Sequence, residues 1–271
     1  MAERVRRPDP HVSVERDVLV RYLDAWTATV LRSPRGGTYV ECGEFAADAL
    51  RVFGEFADRL ADHLTVVLVG RDLPGGAPAG LVVRTAGDLR DVRVPGPMLA
   101  HLSGPWPPAL VRGKAHEVLL SADSGADHRE RLREAGLGCA VAVELVADDG
   151  TARTLVFATA DDRHLATFKN ELWAADEFAG IRYRDPADAE GTLVDISLTP
   201  QLLPLRRALL AELDRRGAAT VAELQRFALL ETIYRAEDAV GALTAAVAAG
   251  QVGREPGKGR LSSRTVLSAL R

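Results

Sequence analysis

The chain has 271 residues, of which 47% are hydrophobic and 27% charged, and this composition is typical of a globular protein with a sizeable buried core. No apolar run approaches the roughly 18 residues that a membrane-spanning helix needs. The N-terminal segment MAERVRRPDPHVSVERD lacks the apolar core of a signal peptide. These features argue against a membrane protein and predict a cytoplasmic one.

The net charge of −4 is unevenly distributed along the chain. Residues 201–271 contain 11 Lys and Arg against 7 Asp and Glu, whereas the residues before them contain 23 against 31. The C-terminal part is therefore the candidate for contact with a polyanion, although a solvated surface explains the balance almost as well. Cys42 and Cys139 are far apart and the histidines show no metal-ligand spacing, so no metal site is predicted.

Helical and strand patterns alternate along the first two thirds of the chain. Helices are predicted at residues 14–31, with Ser13 as N-cap, and at 45–60, 128–135 and 163–175. Strands are predicted at 38–42, 64–69, 81–84, 116–120, 139–146 and 154–159, with a short helix at 98–102. This alternation ends in a hairpin that turns at Asp148-Asp149-Gly150. It predicts an α/β fold with a mostly parallel, Rossmann-like sheet of the kind that class I methyltransferases carry.

The chain after residue 200 has a purely helical pattern that ends in a glycine-rich turn. Three helices are predicted. The first is at 202–216, the second begins at the capping box formed by Thr220 and Glu223, and the third is at 237–249. The segment QVGREPGKGRLSSRTV has the pattern of a β-wing, which predicts a winged helix-turn-helix domain. The predicted organisation is a disordered lead-in at 1–13, a Rossmann-like methyltransferase-type domain at 14–180, a linker at 181–200 and the winged helix at 201–271.

The candidate ligand site lies where three of the predicted strands end. The first turn offers Glu41 and Gly43, but Glu41 and Glu44 would repel a phosphate, and one glycine limits the approach of the backbone. Asp72 follows the second strand, where nucleotide-type folds place an acid that binds ribose hydroxyls, although an Asp is common in loops. Asp123, after the fourth strand, is the candidate catalytic residue, and a turn that caps the next helix is its structural alternative.

Four basic residues of the C-terminal part are candidates for binding nucleic-acid phosphates. Arg235 lies near the start of the predicted recognition helix, and Arg254, Lys258 and Arg260 lie on the predicted wing. Three acidic residues near the same helix start would repel a nucleic-acid backbone, and winged helices also bind proteins. DNA, RNA and a protein are therefore all candidate partners.

Three segments together resemble the three-Cys-motif partner proteins (TcmP), over roughly residues 15–268. They are the helix VLVRYLDAWTATVL with the strand TYVE after it, the segment LVFATADDRHLATFKNELWAAD, and the run LLETIYRAEDAVGALTAAVAAGQV. The resemblance implies a class I methyltransferase-like sheet with a winged helix. It also implies a protein found alongside a radical-type three-Cys protein.

Three strand ends depart from the pattern of that family. Where its members have D-x-F-A-G-P-G, residues 41–47 are ECGEFAA; where they have an acid after the second strand, residues 70–72 are GRD. Where they have D-P-F-G, residues 122–125 are ADSG. The strand ends that face a ligand have changed while scaffold residues are kept, which predicts a pocket that is lost or repurposed.

Three hypotheses about function follow. The first is a binding or accessory protein with a degenerate methyltransferase-like domain and no cofactor, which works with a partner protein, and with DNA or RNA, through its winged helix. The second is an active methyltransferase in which Glu41, Gly43 and Asp72 hold S-adenosylmethionine and Asp123 acts in catalysis. The third is a transcription regulator whose N-terminal domain senses a small ligand.

Overall fold

In the computed structural model the described residues are 9–61, 63–72, 77–92, 96–104, 116–123, 127–176 and 180–270. Ser124 and Gly125, from the predicted turn after Asp123, lie outside them. Eight α-helices are described, besides a 3-10 helix at Leu89–Asp91: α1 (Pro10–Arg32), α2 (Ala46–Glu55), α3 (Ala57–Leu60), α4 (His128–Glu134), α5 (Asp162–Trp173), α6 (Leu203–Arg216), α7 (Val221–Glu231) and α8 (Asp238–Ala248). None of these described helices is both long and apolar enough to cross a membrane.

The described strands fall into two sheets. The large sheet contains β1 (Gly37–Glu41), β2 (Leu64–Val69), β3 (Val82–Ala86), β4 (Met98–Ser103), β5 (His116–Asp123), β6 (Cys139–Ala147), β7 (Ala152–Thr159), β8 (Ile181–Arg184) and β9 (Leu193–Asp195). The small sheet contains β10 (Ala218–Thr220), β11 (Val252–Glu255) and β12 (Val266–Ala269).

The strand order of the large sheet is β3-β2-β1-β4-β5-β7-β6-β8-β9. The first five strands in this order pair in parallel, and each later pair is antiparallel. The sheet is therefore mixed rather than mostly parallel. The difference arises from β8 and β9, which come from residues 181–200: this predicted linker instead supplies two antiparallel strands at the edge.

The segment predicted as a short helix at 98–102 is the central strand β4. Met98, Leu99 and Ala100 are completely buried, and β4 pairs in parallel with both β1 and β5. A run of apolar residues that is buried on both faces suits a central parallel strand, and two strand partners decide between strand and helix here.

Helix α1 begins at Pro10, four residues earlier than the predicted start, so residues 10–13 are helical and not part of a lead-in. Asp9 caps the helix because its carboxylate accepts a hydrogen bond of 2.9 Å from the His11 amide. Proline fits the first turn because it has no amide hydrogen to leave unpaired. Ser13, the predicted N-cap, instead donates its hydroxyl to the Asp9 carbonyl oxygen.

The α1 face predicted to be apolar is buried against the large sheet. Val18, Leu19 and Leu23 are fully buried, and Tyr22 packs edge-on against Phe157 of β7. Alternate residues of the strands point to opposite faces: Tyr39 of β1 packs with α1, α2 and α5, whereas Val40 belongs to the core on the α4 side. The sheet is thus covered on both faces, as the alternation of the sequence predicted.

The chain after residue 200 forms α6, α7 and α8 together with the three-stranded antiparallel sheet, in the order β10-β12-β11. The predicted capping box is present, since the Thr220 hydroxyl accepts from the Glu223 amide and the Glu223 side chain accepts from the Thr220 amide.

This C-terminal part is docked tightly onto the large sheet and its helices. Lys169 of α5 is fully buried, and its ammonium donates to the carbonyl oxygens of Ala228, Leu229, Thr232 and Tyr234 at 2.5 to 3.0 Å. These carbonyls lie at the end of α7, where a helix leaves its last carbonyl groups unpaired. One buried lysine therefore caps α7 from the neighbouring part of the fold.

Three more side chains, Trp173 of α5 and Arg129 and Arg133 of α4, contact the same segment. We call the contact of these three residues and Lys169 with residues 228–234 the docking contact. The indole of Trp173 donates to the Ile233 carbonyl oxygen at 3.0 Å and stacks on Tyr234. Arg129 and Arg133 of α4 both donate to the Leu230 carbonyl oxygen and pair with Glu231. The two parts also share one hydrophobic core.

Candidate functional site

A cavity of about 870 Å³ opens at the carboxyl ends of β1, β4 and β5. This is the position at which open α/β sheets bind their ligands. Its size suits a small molecule. It contains two of the predicted site residues, Gly43 and Asp123, on its wall.

Glu41 ends β1 but lies beneath the cavity, and it is completely buried. One carboxylate oxygen lies 2.7 Å from the Gly43 amide nitrogen and 2.8 Å from His101 Nδ1, and the other accepts from the Tyr39 hydroxyl. Burial alone would raise the pKa of Glu41, but His101 and the hydrogen bonds from Tyr39 and Gly43 lower it overall. The carboxylate is thus occupied by the protein's own donors, which leaves it poorly placed to bind a ligand.

Gly43 is required by a close approach of backbone to side chain. A Cβ atom at this position would lie 2.5 Å from His101 Cε1 and 2.9 Å from Glu41 Oε1. The glycine therefore makes room for the contact between Glu41 and His101. Its presence in the turn is explained without any ligand.

The end of β2 presents a cation to the cavity instead of the predicted acid. The chain turns at Gly70, whose φ of +65° favours glycine. Arg71 lines the cavity, whereas Asp72 is exposed and lies off its wall. Asp72, the predicted ribose-binding residue, is therefore displaced from the cavity. Arg71 takes its place, and its guanidinium can only donate hydrogen bonds.

Asp123 is the last residue of β5, and it lies in register with Arg153 of β7. Both line the cavity, with His128 and Arg131 of α4 on the same wall. Burial, followed by the charge of Arg131, lowers the pKa of His128 and so favours its neutral form. Asp123 is thus in the cavity as predicted, among basic neighbours.

Glu15 of α1 is a cavity residue that the sequence analysis missed. Its side chain is only 3% exposed, yet it lines the cavity, and one of its oxygens lies 3.9 Å from Arg153 Nη1. Ser121 of β5 lies beside it, but neither Glu15 Oε1 nor Ser121 Oγ makes a hydrogen bond of normal geometry with a described residue. Burial raises the pKa of Glu15. A buried acceptor without a donor is what a ligand with an amine or hydroxyl group would satisfy.

A signal for Glu15 does exist in the sequence. It follows Val14 and precedes Val18, Leu19 and Tyr22, so it falls on the apolar face of α1. A charged residue on a face that must be buried is unusual enough to mark a candidate site.

The predicted nucleic-acid residues are not brought together on one open face. Arg235 is largely buried: it makes a two-pronged pair with Asp238, with bonds of 2.8 and 3.0 Å, and donates to the Leu198 carbonyl oxygen. Arg254 donates to the carbonyl oxygens of Pro256 and Lys258 and so holds its own turn. Lys258 and Arg260 are exposed on the loop between β11 and β12.

Comparison with known proteins shows only distant structural similarity. No protein-family model and no curated protein matches the chain. A precorrin-6y C5,15-methyltransferase from Geobacter metallireducens has 14% identity over 51% of this chain and 87% of its own, with a TM-score of 0.33.

Two further solved structures are similar at the same level. The M1A22 tRNA methyltransferase TrmK of B. subtilis has 14% identity over 84% of this chain and 94% of its own, with a TM-score of 0.32. A SAM-dependent methyltransferase from Agrobacterium tumefaciens has 15% identity over 54% and 62%, with a TM-score of 0.36. These are distant likenesses to class I methyltransferases, and likeness at this level says nothing about activity.

Proposed function

We propose that this chain is a binding or accessory protein: its methyltransferase-like domain transfers no methyl group, and its C-terminal part engages a partner protein. The observation that carries this proposal is the positive charge on the cavity wall at the end of β2, where Arg71 lines the cavity and Asp72 does not. In the TcmP family, which the sequence resembles, the corresponding partner is a radical-type three-Cys protein.

The chemistry of the cavity supports binding of something other than S-adenosylmethionine. That cofactor has a positively charged sulfonium and ribose hydroxyls that an acid after the second strand usually accepts. Here Arg71, Arg131 and Arg153 line the cavity, and the carboxylate of Glu41 is already saturated with donors. The wall also carries Glu15, Glu44 and Asp123, so the unfavourable features are local: Arg71 repels a cation at the end of β2, and no carboxylate among the described lining residues stands there to accept from the ribose hydroxyls.

A winged helix is the interpretation that we propose for residues 201–271. Its support is the order of elements, in which α6, β10, α7 and α8 precede the antiparallel pair β11 and β12. Helix α8 would be the recognition helix, yet its sequence DAVGALTAAVA contains no lysine or arginine. An uncharged exposed face suits contact with a protein better than contact with a phosphate backbone.

Calorimetry with S-adenosylmethionine and with S-adenosylhomocysteine tests the proposal on the full chain. We expect no binding of either compound at micromolar concentrations. Binding with a micromolar dissociation constant would overturn it. The partner is tested by co-purification with the three-Cys protein encoded nearest to this chain, if one is present.

An active S-adenosylmethionine-dependent methyltransferase is the second candidate. The observation in its favour is that Asp123 and Glu15 share the wall of a cavity large enough for a cofactor. If calorimetry shows tight binding and methyl transfer is detected, Asp123→Asn should lower its rate by about 100-fold, because a positioned carboxylate contributes on that scale. Asp148→Asn, in an exposed hairpin turn, is the control that should leave the rate unchanged.

Nucleic-acid binding, as in a ligand-sensing transcription regulator, depends on the loop that carries Lys258 and Arg260. Both side chains are exposed and are free to meet phosphates, whereas Arg235 is engaged by Asp238. Mobility shifts of the full chain with DNA from its own promoter, and with RNA, are the appropriate measurement.

If the chain binds nucleic acid through this loop, the double variant Lys258→Ala/Arg260→Ala should weaken binding and reduce the salt slope by about 2. The control is Arg51→Ala/Arg59→Ala, which removes two exposed cations from α2 and α3. Equal weakening by both double variants would indicate a general charge effect and not a site.

A further inference from the structure

A second cavity, of about 450 Å³, lies between the C-terminal half of α1 and the start of α5. It lies at the other end of the sheet from the first cavity. The residue that marks it is Glu117, near the start of β5, whereas Asp123 at the first cavity ends the same strand. The two cavities are therefore separate sites.

Glu117 gathers three hydrogen-bond donors although it is only 2% exposed. It accepts from the Tyr22 hydroxyl and from the Trp26 indole at 3.2 Å, and His164 Nδ1 lies 3.1 Å from its Oε1. A buried carboxylate is costly unless its oxygens are paired, and here the pairing sets the orientation of one imidazole ring. His164 faces Glu117 through Nδ1, so this carboxylate does not engage its Nε2, and the residue also lines the cavity.

The wall of this cavity is positively charged. Arg32, Arg163 and His164 line it, and the described residues that line it include no carboxylate. The Arg163 guanidinium also pairs with the Asp161 carboxylate next to the cavity, through Nε at 3.2 Å and Nη2 at 2.7 Å. The hydrogen bond to Glu117, together with its charge, raises the pKa of His164 against the opposing effect of burial. The hydroxyls of Thr29 and Ser33 add donors on the same wall.

We propose that this cavity binds a small phosphate monoester, with its phosphate among Arg32, Arg163 and His164 and its organic group against Trp26. The Arg32 guanidinium, the Arg163 N–H groups that Asp161 does not engage and the His164 ring can together donate several hydrogen bonds, which suits the three oxygens of a phosphate better than the two of a carboxylate. The cavity has the volume of a small-ligand site. The site is independent of the first cavity and of the C-terminal part.

Calorimetry at low salt with phenyl phosphate, inorganic phosphate and benzoate tests the site on the full chain. Phenyl phosphate should bind more tightly than inorganic phosphate, which lacks the ring, and more tightly than benzoate, which lacks the second charge. His164→Gln and Arg32→Gln should each weaken phenyl phosphate about tenfold. Arg21→Gln is the control, since Arg21 also lies on α1 but pairs with Asp17 and is outside the cavity wall.

The pH dependence of phenyl phosphate binding distinguishes a binding role of His164 from a purely structural one, because only a bound His164 would make the affinity change with its protonation. The groups that face its ring are Glu117 of β5, Asp161 and Arg163 at the start of α5, and Arg32 of α1. Above pH 7 the charge of phenyl phosphate is nearly constant, so binding to the wild-type chain should weaken as the pH rises through the raised pKa of His164, whereas binding to His164→Gln should not.

Three results would overturn the proposal. They are an absence of phenyl phosphate binding, equal affinities for phenyl phosphate and benzoate, and an affinity that neither His164→Gln nor Arg32→Gln changes relative to Arg21→Gln. Circular dichroism of each variant shows whether the fold is kept. If His164→Gln unfolds, Arg32→Gln decides, because Arg32 is exposed and makes no contact with Glu117.

Discussion

At the scale of single residues, Glu15 is the most informative side chain of the first cavity. It occupies the apolar face of α1, is nearly fully buried, and has an oxygen without a hydrogen bond to any described residue. Such a group lowers the stability of the empty protein, and a ligand that donates a hydrogen bond to it would offset this cost. Glu15 is therefore a better candidate for ligand binding than Glu41, whose oxygens are all engaged.

We predict that Glu15→Gln stabilises the protein at pH 7.5. Burial raises the pKa of Glu15 in the folded state, so the folded protein binds more protons than the unfolded one between the two pKa values, and stability falls as pH rises through this range. The neutral amide removes this cost, with a gain on the order of 1 kcal/mol in the free energy of unfolding. Thermal unfolding of the wild-type chain and of Glu15→Gln at pH 7.5 and pH 4 measures this difference in stability.

The gain from Glu15→Gln should shrink at pH 4, where the wild-type side chain is itself protonated. Glu55→Gln on the exposed end of α2 is the control and should change stability little at either pH. A gain of the same size at both values would contradict the role assigned to the buried charge. Arg153 keeps Asp9 as a partner in the variant.

At the scale of the elements, the turn between β1 and α2 is held together by the contact of Glu41 with His101. That contact joins the ends of β1 and β4, and it uses the space that a side chain at position 43 would occupy. The turn at this point thus fixes two strand ends, and with His101 it also forms part of the cavity wall.

Gly43→Ala should therefore lower the free energy of unfolding by about 1 to 3 kcal/mol, the usual cost of overpacking. The added Cβ would lie 2.5 Å from His101 and would push the imidazole away from Glu41. Chemical denaturation measures the change. Gly87→Ala is a matched control, because a Cβ there meets no atom within 4 Å. An equal effect of the two variants would show that backbone entropy, and not the His101 contact, accounts for the loss.

At the scale of the whole molecule, the C-terminal part is not a freely tethered domain. Lys169 caps α7, Trp173 stacks on Tyr234, and residues of both parts belong to one hydrophobic core. Residues 228–234 are consequently covered by the docking contact, which leaves α8 and the loop between β11 and β12 as surfaces for a partner. We expect the chain to unfold in one transition.

Replacing Lys169 by Met tests this coupling. The variant keeps much of the buried volume but removes the lysine donor from the carbonyl oxygens of Leu229, Thr232 and Tyr234, whereas that of Ala228 still accepts from the Thr232 hydroxyl. We therefore predict a loss of about 2 to 4 kcal/mol in the free energy of unfolding. Hydrogen exchange should increase in residues 228–235. Lys258→Met on the exposed loop is the control and should leave both quantities unchanged. Two separate unfolding transitions in the wild-type chain would contradict the single core.

The sequence by itself determined the features that depend on neighbours along the chain. The buried face of α1, the strand at Leu64–Val69 and the capping box of Thr220 follow from periodicity and local hydrogen bonding, and the structure confirms them. The α/β alternation likewise predicted a sheet covered on both faces, and the cavity lies at the strand ends where Gly43 and Asp123 were singled out.

Only the tertiary structure decided which side chains meet across distance. The strands β8 and β9 needed a sheet edge to pair with, Arg235 is engaged by Asp238 and Leu198, and Arg71 rather than Asp72 faces the cavity. The contact of Glu117 with His164 joins residues 47 positions apart. The sequence determines the chemistry of each side chain. Whether a charged side chain is paired within the protein or is available to a ligand depends on partners that only the folded structure brings into contact.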